Sequence, residues 1–141
     1  MKRRSKRLVP ILALLALPAA AFADDLTGQQ SFLCTPAQVA VCGDSGECAK
    51  DMPWDLNIPQ FIQVDLAAKK LSTTPASGEN RSTPILSLTR ENGEIYLQGV
   101  EMGRAFSFVI VEKTGMLSAA VARAGIAVSA FGACTPIPAP K

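Results

Sequence analysis

The chain of 141 residues predicts a mainly all-β fold: a small antiparallel β-barrel or sandwich arranged as a meander, with a short N-terminal helical turn and two disulfides. Three observations predict this class. Apolar and polar residues alternate with a period of two from Phe61 onward, turn sequences separate the alternating segments, and 4 cysteines follow residue 33.

Residues 1–23 have the order of features that is typical of a cleaved secretory signal peptide. A basic segment, Met1–Arg7, precedes an apolar stretch, Leu8–Ala20, and Ala21-Phe22-Ala23 forms a cleavage sequence. The apolar stretch is too short to cross a hydrocarbon core of roughly 30 Å as a helix. We therefore expect an exported protein, periplasmic or extracellular, that does not insert into a membrane once the signal peptide is removed.

The charge of the chain changes sign when residues 1–23 are set aside. The full sequence has 14 basic and 12 acidic residues, a net charge of +2, but five of the basic residues lie within 1–23. The remaining 118 residues carry 9 basic and 12 acidic side chains, a net charge of −3. This balance argues against a nucleic-acid partner, because phosphate binding requires a basic surface.

Histidine is absent from the sequence, which excludes a histidine-based catalytic triad, a histidine-dependent metal site and an imidazole pH switch. Four glutamates are scattered over predicted turns and strand ends, and we expect them to be solvated rather than paired for acid–base catalysis. They are Glu91, Glu94, Glu101 and Glu112. We expect no catalytic residue, no cofactor and no bound metal ion.

Two local patterns describe the chain after residue 23. Residues 24–33 are polar and contain glycine and glutamine, which predicts a loose lead-in. In Thr35-Pro36-Ala37-Gln38, an N-cap threonine, a proline at the first helical position and a glutamine three residues after the threonine form a capping-box pattern. This pattern predicts a short helical turn that ends at Val41.

The cysteines are Cys34, Cys42, Cys48 and Cys134. An even number of cysteines in an exported protein indicates two disulfides, with three connectivities open, and the spacing matches no zinc site. We favour Cys42–Cys48, which closes a turn containing two glycines, together with Cys34–Cys134, which joins the two ends of the domain.

Turn sequences divide the second half of the chain into antiparallel strands. Asn92-Gly93 is a strong hairpin signal, and Lys113-Thr114-Gly115 marks a second turn. Between them Phe106–Val111 is uncharged and β-prone, so we expect it in a central strand. Segment 117–130 fits either two strands that turn at Gly125 or an amphipathic helix, and we favour the strands.

Segments richer in turn residues border these strands. Residues 48–59 are predicted to be turn-rich and residues 72–84 to form an exposed loop. The disulfide-stabilised, β-rich domain is expected to span 34–135 and to be followed by a proline-rich, disordered tail at 136–141.

Trp54, the single tryptophan, has two interpretations. Its position next to Pro53 and near the N-terminal cysteines favours a lid over the open end of the core, as large aromatic side chains are most often packed. The other interpretation makes Trp54 an exposed recognition residue on a binding surface.

The spacing of cysteines and apolar residues resembles that of small exported bacterial β-rich proteins, proteobacterial in type, that have structural disulfides and no known function. The residues that carry the resemblance are Cys42-x5-Cys48, Pro59-x-Phe61-Ile62-x-Val64-Asp65-Leu66, Leu71 and Phe131-Gly132-Ala133-Cys134. The resemblance implies a bacterial envelope protein with a β-rich fold, and it assigns no catalytic residue.

These observations favour a non-enzymatic envelope protein that binds another macromolecule, either a protein or a cell-envelope component. The alternative is a carrier of a small apolar ligand, with a barrel interior lined by inward-facing side chains. Those side chains are Leu97, Phe106, Phe108 and Ile110. An enzyme is the third hypothesis, and no cluster of residues in the sequence supports it.

Overall fold

Between residues 25 and 137, ten β-strands form one antiparallel sheet that curls into a half-barrel. The computed structural model describes residues 25–137, so the predicted signal peptide and the end of the predicted tail lie outside the described residues. Two short 3₁₀ helices, Pro53–Leu56 and Pro75–Ser77, are the helical elements of this range. Between residues 25 and 137, no helix is long and apolar enough to cross a membrane. The mainly β class is confirmed.

The strand bounds show that β1 and β10 are the longest elements. The strands are β1 (Ser31–Gly43), β2 (Cys48–Asp51), β3 (Ile62–Asp65), β4 (Lys70–Thr73), β5 (Ser82–Pro84), β6 (Ser87–Glu91), β7 (Glu94–Glu101), β8 (Arg104–Val111), β9 (Met116–Arg123) and β10 (Ile126–Pro136). Residues 48–59 and 72–84, predicted as turns and a loop, therefore also contain short strands.

The order of strands in the sheet is β5-β4-β3-β1-β10-β9-β8-β7-β6, and β2 pairs with β1 outside this path. From β6 to β10, neighbours in sequence are neighbours in the sheet, which is the predicted meander. On one edge of β1, residues 31–34 pair with β3 and residues 39–42 pair with β2. On its other edge, β10 runs along almost the whole of β1.

The helical turn predicted for 35–41 is wrong, because these residues lie inside β1. Phe32, Cys34 and Pro36 alternate inward and are buried. A helical turn of a few residues is unstable by itself, whereas β10 and the strands on the other edge offer backbone hydrogen bonds along most of β1. The proline is accommodated because the register with β10 shifts between Pro36 and Gln38, which forms a bulge.

Gly132 in β10 lies opposite Pro36, where the two backbones approach closely. A Cβ atom at position 132 would overlap the Thr35 carbonyl oxygen and would lie 2.9 Å from the Pro36 Cα.

We expect Gly132→Ala to lower the free energy of unfolding in urea by about 1–3 kcal/mol, because the strands must move apart. Gly43→Ala is the control, since its added Cβ would be 3.8 Å from its nearest neighbour. Equal losses in both variants would contradict the close approach.

The inner face of the sheet forms one main core. Its largest fully buried apolar side chains are Leu26, Phe32, Val64, Ile95, Leu97, Ile110 and Leu117. The strand that contains Phe106–Val111 is β8, which lies between β7 and β9, so the prediction of a central strand is confirmed. Residues 24–33, predicted as a loose lead-in, provide Leu26 and Phe32 to this core and the first residues of β1.

The hairpin predicted at Asn92-Gly93 is confirmed, since these residues join β6 to β7. Their φ angles of 53° and 78° are those of a type I′ turn, in which both central residues have positive φ. Segment 117–130 forms β9 and β10 with a turn at Gly125, so the amphipathic helix is wrong. Residues 117–122 pair with β8 on one side and with β10 on the other, and a helix would lose both sets of bonds.

Candidate functional site

Two disulfides join strands that are neighbours in the sheet. Cys34 and Cys134 are register partners in β1 and β10, and both are buried in the core. Cys42 and Cys48 are register partners in β1 and β2 on the periphery. This is the pairing that the sequence favoured, and its presence is consistent with an oxidising, exported location.

On each of the neighbouring strands β7, β8 and β9, every second side chain faces the inside of the half-barrel and forms a row. At one and the same edge of the half-barrel, the last residue of each row is charged. Written toward that edge, the rows are Ile95-Leu97-Gly99-Glu101, Ile110-Phe108-Phe106-Arg104 and Leu117-Ala119-Val121-Arg123. Glu101 and Arg104 are register partners, and Ala105 pairs with Ala122 beside them. We call the edge formed by Glu101, Arg104 and Arg123 the mouth.

Behind the mouth lies a cavity of about 90 Å³ with mainly apolar walls. Its apolar lining includes Ile62, Leu71, Phe106, Phe108, Leu117 and Ala119. The volume exceeds the roughly 10–15 Å³ that one water molecule needs, but the apolar part of the wall offers such water few hydrogen-bond partners. Of the four interior residues predicted for a carrier, Phe106 and Phe108 line this cavity, while Leu97 and Ile110 are fully buried elsewhere in the core.

Glu101 at the mouth is held by residues that come from the region of β5. Arg81 donates two hydrogen bonds to its carboxylate, from Nε to Oε1 at 3.0 Å and from Nη2 to Oε2 at 2.6 Å. The Thr83 hydroxyl donates a third to Oε1 at 2.9 Å, and Arg81 Nη1 also donates to Glu79 at 3.0 Å. Because β5 and β7 lie toward opposite ends of the strand order, these contacts draw the two sides of the curled sheet together.

The hydrogen bonds from Arg81 hold the pKa of Glu101 below its ordinary value, although partial burial acts to raise it. A carboxyl group with a lowered folded pKa stabilises the protein above its unfolded pKa of about 4.3, and this contribution is lost as the pH falls through the folded value. We therefore expect the unfolding free energy of Glu101→Gln, measured in urea from neutral to acidic pH, to fall less steeply with acidification than that of the wild type.

The control for this pH series is Glu47→Gln, which removes the same charge from the exposed turn between β1 and β2. It should keep the wild-type pH dependence. A slope for Glu101→Gln that equals those of the wild type and of the control would contradict the stabilising role of the contact with Arg81.

The two other charged residues of the mouth have no such partner. Arg104 lines both the cavity and an adjoining surface groove of about 430 Å³, and Arg123 lines the groove. Within residues 25–137, neither arginine forms an ion pair. Asp55 is the acidic residue that lines the groove, and it is exposed.

A second charged cluster lies beyond the other end of β8, away from the mouth. Arg90 donates to both carboxylate oxygens of Glu112, at 2.7 Å and 3.3 Å. It also donates to the carbonyl oxygens of Gln29 and Leu26, each at 3.0 Å. The cluster therefore fixes the segment before β1 against the β8–β9 turn.

The expectation that the four glutamates are solvated is wrong for Glu101 and Glu112. Glu112 is 7% exposed, and Glu101 is partly buried and paired with Arg81. Their arginine partners are 22 and 20 residues away in sequence, so no local spacing reveals the pairs. The alternation within β8 and β9 does contain a signal that was missed, because it assigns Arg104 and Arg123 to the inward-facing rows.

Trp54 does not cover the core, since it is 66% exposed in the first 3₁₀ helix. The lid interpretation is therefore wrong. The neighbouring residues Leu56 and Ile58 instead pack against a small second core of Val39, Val128 and Ala130. Trp54 directly precedes the groove-lining residues 55–58 in the chain and does not itself line the groove.

Comparison of the chain with models of protein families and with curated proteins finds no match in either case. In the described range 25–137, no group of three or more cysteine, aspartate or glutamate side chains is placed to hold a metal ion. The features that define the site are therefore those of the chain itself: a disulfide-bonded half-barrel, an apolar cavity and a mouth with two unpaired arginines.

Proposed function

We propose that this protein is a non-enzymatic binding protein of the bacterial envelope, periplasmic or extracellular, that holds a small apolar ligand inside its half-barrel. The cavity of about 90 Å³ behind the mouth is the observation that carries this proposal. Ligand sites are typically concave and mainly apolar, with a few polar groups near the opening, and this cavity has that composition. The two disulfides support an exported location.

Burial of an apolar chain in such a cavity is favourable by about 0.8 kcal/mol for each methylene group removed from water. Water in the cavity has few hydrogen-bond partners along the walls of Phe106, Phe108 and Leu117, so a ligand displaces little that is tightly held. The disulfide Cys34–Cys134 links β1 to β10, which reduces the freedom of the half-barrel and so the cost of ordering it around a ligand.

The matched variants Ala119→Leu and Ala120→Leu test this proposal. Ala119 lines the cavity, whereas Ala120, the next residue of β9, is exposed on the outer face. Titration calorimetry with octan-1-ol should show saturable binding to the wild type and to Ala120→Leu, and at least tenfold weaker binding to Ala119→Leu. Equal binding to all three proteins, or none to the wild type, would contradict the proposal.

Binding of a macromolecule, either a protein or an envelope component, is the second candidate function. The exposed Trp54 favours it, together with Met102, which lines the groove and is 77% exposed. Tryptophan is among the residues that most often dominate the binding energy of protein interfaces.

Pull-down from a periplasmic extract should recover a reproducible partner with the wild type and with Leu86→Ala, an exposed-residue control, but not with Trp54→Ala. Absence of any reproducible partner would contradict this candidate.

A further inference from the structure

We infer that the ligand of the half-barrel is an anionic amphiphile with one apolar tail, such as a free fatty-acid carboxylate, whose head binds Arg104 and Arg123 while its tail fills the cavity. This inference rests on the proposed function and specifies the chemical class of the ligand. The juxtaposition of an apolar cavity and two unpaired guanidinium groups at its mouth supports it.

The path from head site to tail site follows single strands. Inward-facing residues two apart lie about 6–7 Å from one another along a strand, so Arg104 is directly followed by Phe106 and then by Phe108. On β9, Arg123 is preceded in the same way by Val121. An extended acyl chain that lies along these rows therefore has its carboxylate beside the arginines when its methyl end is among the phenylalanines.

Free hydrogen-bond donors at the mouth favour an anionic head group over a cationic one. Arg104 and Glu101 attract each other electrostatically, but the Glu101 oxygens already accept three hydrogen bonds from Arg81 and Thr83, and within residues 25–137 no ion pair joins Glu101 to Arg104. Arg104 and Arg123 stand at the ends of neighbouring strands, as the pairing of β8 with β9 shows, and each carries a fixed positive charge. A carboxylate between them relieves their mutual repulsion, and its two oxygens match the geometry of guanidinium donors.

The size of the cavity favours a single tail. A volume of about 90 Å³ is too small for the paired chains of a membrane phospholipid, but part of one acyl chain fits within it. The adjoining groove of about 430 Å³ remains for the head group and for the portion of the chain next to it. Arg104 lines both spaces, so it stands where the head and the tail meet.

Titration calorimetry of the protein lacking residues 1–23 with octanoate, octan-1-ol and octylammonium at neutral pH tests the inference. These probes share a tail and differ in head charge. We expect octanoate to bind at least about tenfold more tightly than octan-1-ol, because its charged head group accepts charge-assisted hydrogen bonds from the guanidinium groups, which are stronger than those that a hydroxyl group accepts. Octylammonium should bind more weakly than both.

Variants of the mouth separate the head site from the tail site. Arg104→Met and Arg123→Met should each weaken octanoate binding, and together they should reduce it to the level of octan-1-ol without changing octan-1-ol binding. Arg104→Lys should retain part of the preference for octanoate, since it keeps the charge. Lys113→Met, which removes one positive charge just beyond the other end of β8, is the control and should bind all three probes as the wild type does.

Three results would overturn the inference. Equal binding of octanoate and octan-1-ol, or a preference for octanoate that survives both methionine substitutions, would remove the anionic head site and leave the proposed apolar-ligand function in place. Failure of all three probes to bind the wild type would contradict the proposed function and this inference together.

Discussion

Removal of the buried disulfide by Cys34→Ala and Cys134→Ala together is expected to destabilise the protein by about 4.7 kcal/mol. The bond joins residues separated by 100 positions, and in the chain-entropy model a loop of that length restricts the unfolded chain by this amount. Its strands are also the two longest of the sheet, so β1 and β10 lose their covalent link within the core. Guanidinium denaturation of the oxidised wild type and of the variant measures the difference.

The second disulfide provides the control for this measurement. Cys42 and Cys48 are separated by 6 positions, and the same model gives about 2.4 kcal/mol for the loop that they close. The paired alanine variant at these positions should therefore lose about half as much stability. A loss that equals or exceeds that of the Cys34 and Cys134 variant would contradict the assignment of the longer bond as the main covalent constraint.

Arg90→Met is expected to lower the free energy of unfolding by about 3–5 kcal/mol, because it leaves the carboxylate of Glu112 buried without its partner. The Glu112 side chain is only 9% exposed. The carbonyl oxygens of Leu26 and Gln29 also lose their hydrogen bonds to the guanidinium group. Urea denaturation at neutral pH measures the loss, and weaker protection of the Leu26 amide from hydrogen exchange should accompany it.

Two further variants show whether the buried charge is the cause. Lys113→Met breaks the exposed ion pair with Asp25, only one residue from Glu112, and should change stability little, since exposed pairs contribute little. Arg90→Met combined with Glu112→Leu should recover much of the loss, because no charge then remains buried. A double variant as unstable as Arg90→Met would contradict this explanation.

Local sequence signals predicted the parts of the fold that depend on neighbouring residues. Asn92-Gly93 occupies two positive-φ positions, so the hairpin could be identified from the dipeptide. The short disulfide followed from a glycine-containing turn. The low charge of Phe106–Val111 indicated a strand covered on both edges, and β8 is such a strand.

The features that sequence analysis missed depend on contacts between distant segments. The capping-box pattern at 35–38 is a valid helix signal, but pairing with β10 along this segment of β1 outweighs it. The bonds of Arg81 to Glu101 exist because the curled sheet brings the region of β5 to β7, which no single segment encodes. The two arginines of the mouth could have been identified from the sequence, because strand alternation alone assigns Arg104 and Arg123 to the inward-facing rows that contain Phe106 and Val121.

We propose that the half-barrel binds an apolar chain inside the cavity. An NMR titration of isotope-labelled protein with octanoate locates the bound tail through the methyl groups of Leu71 and Leu117, which line the cavity, and of Leu86, which is exposed. We predict saturable shift changes for Leu71 and Leu117, with nuclear Overhauser contacts between their methyl groups and the ligand tail, and no such contacts for Leu86. Contacts at Leu86 alone, or no saturable change at Leu71 and Leu117, would contradict the claim.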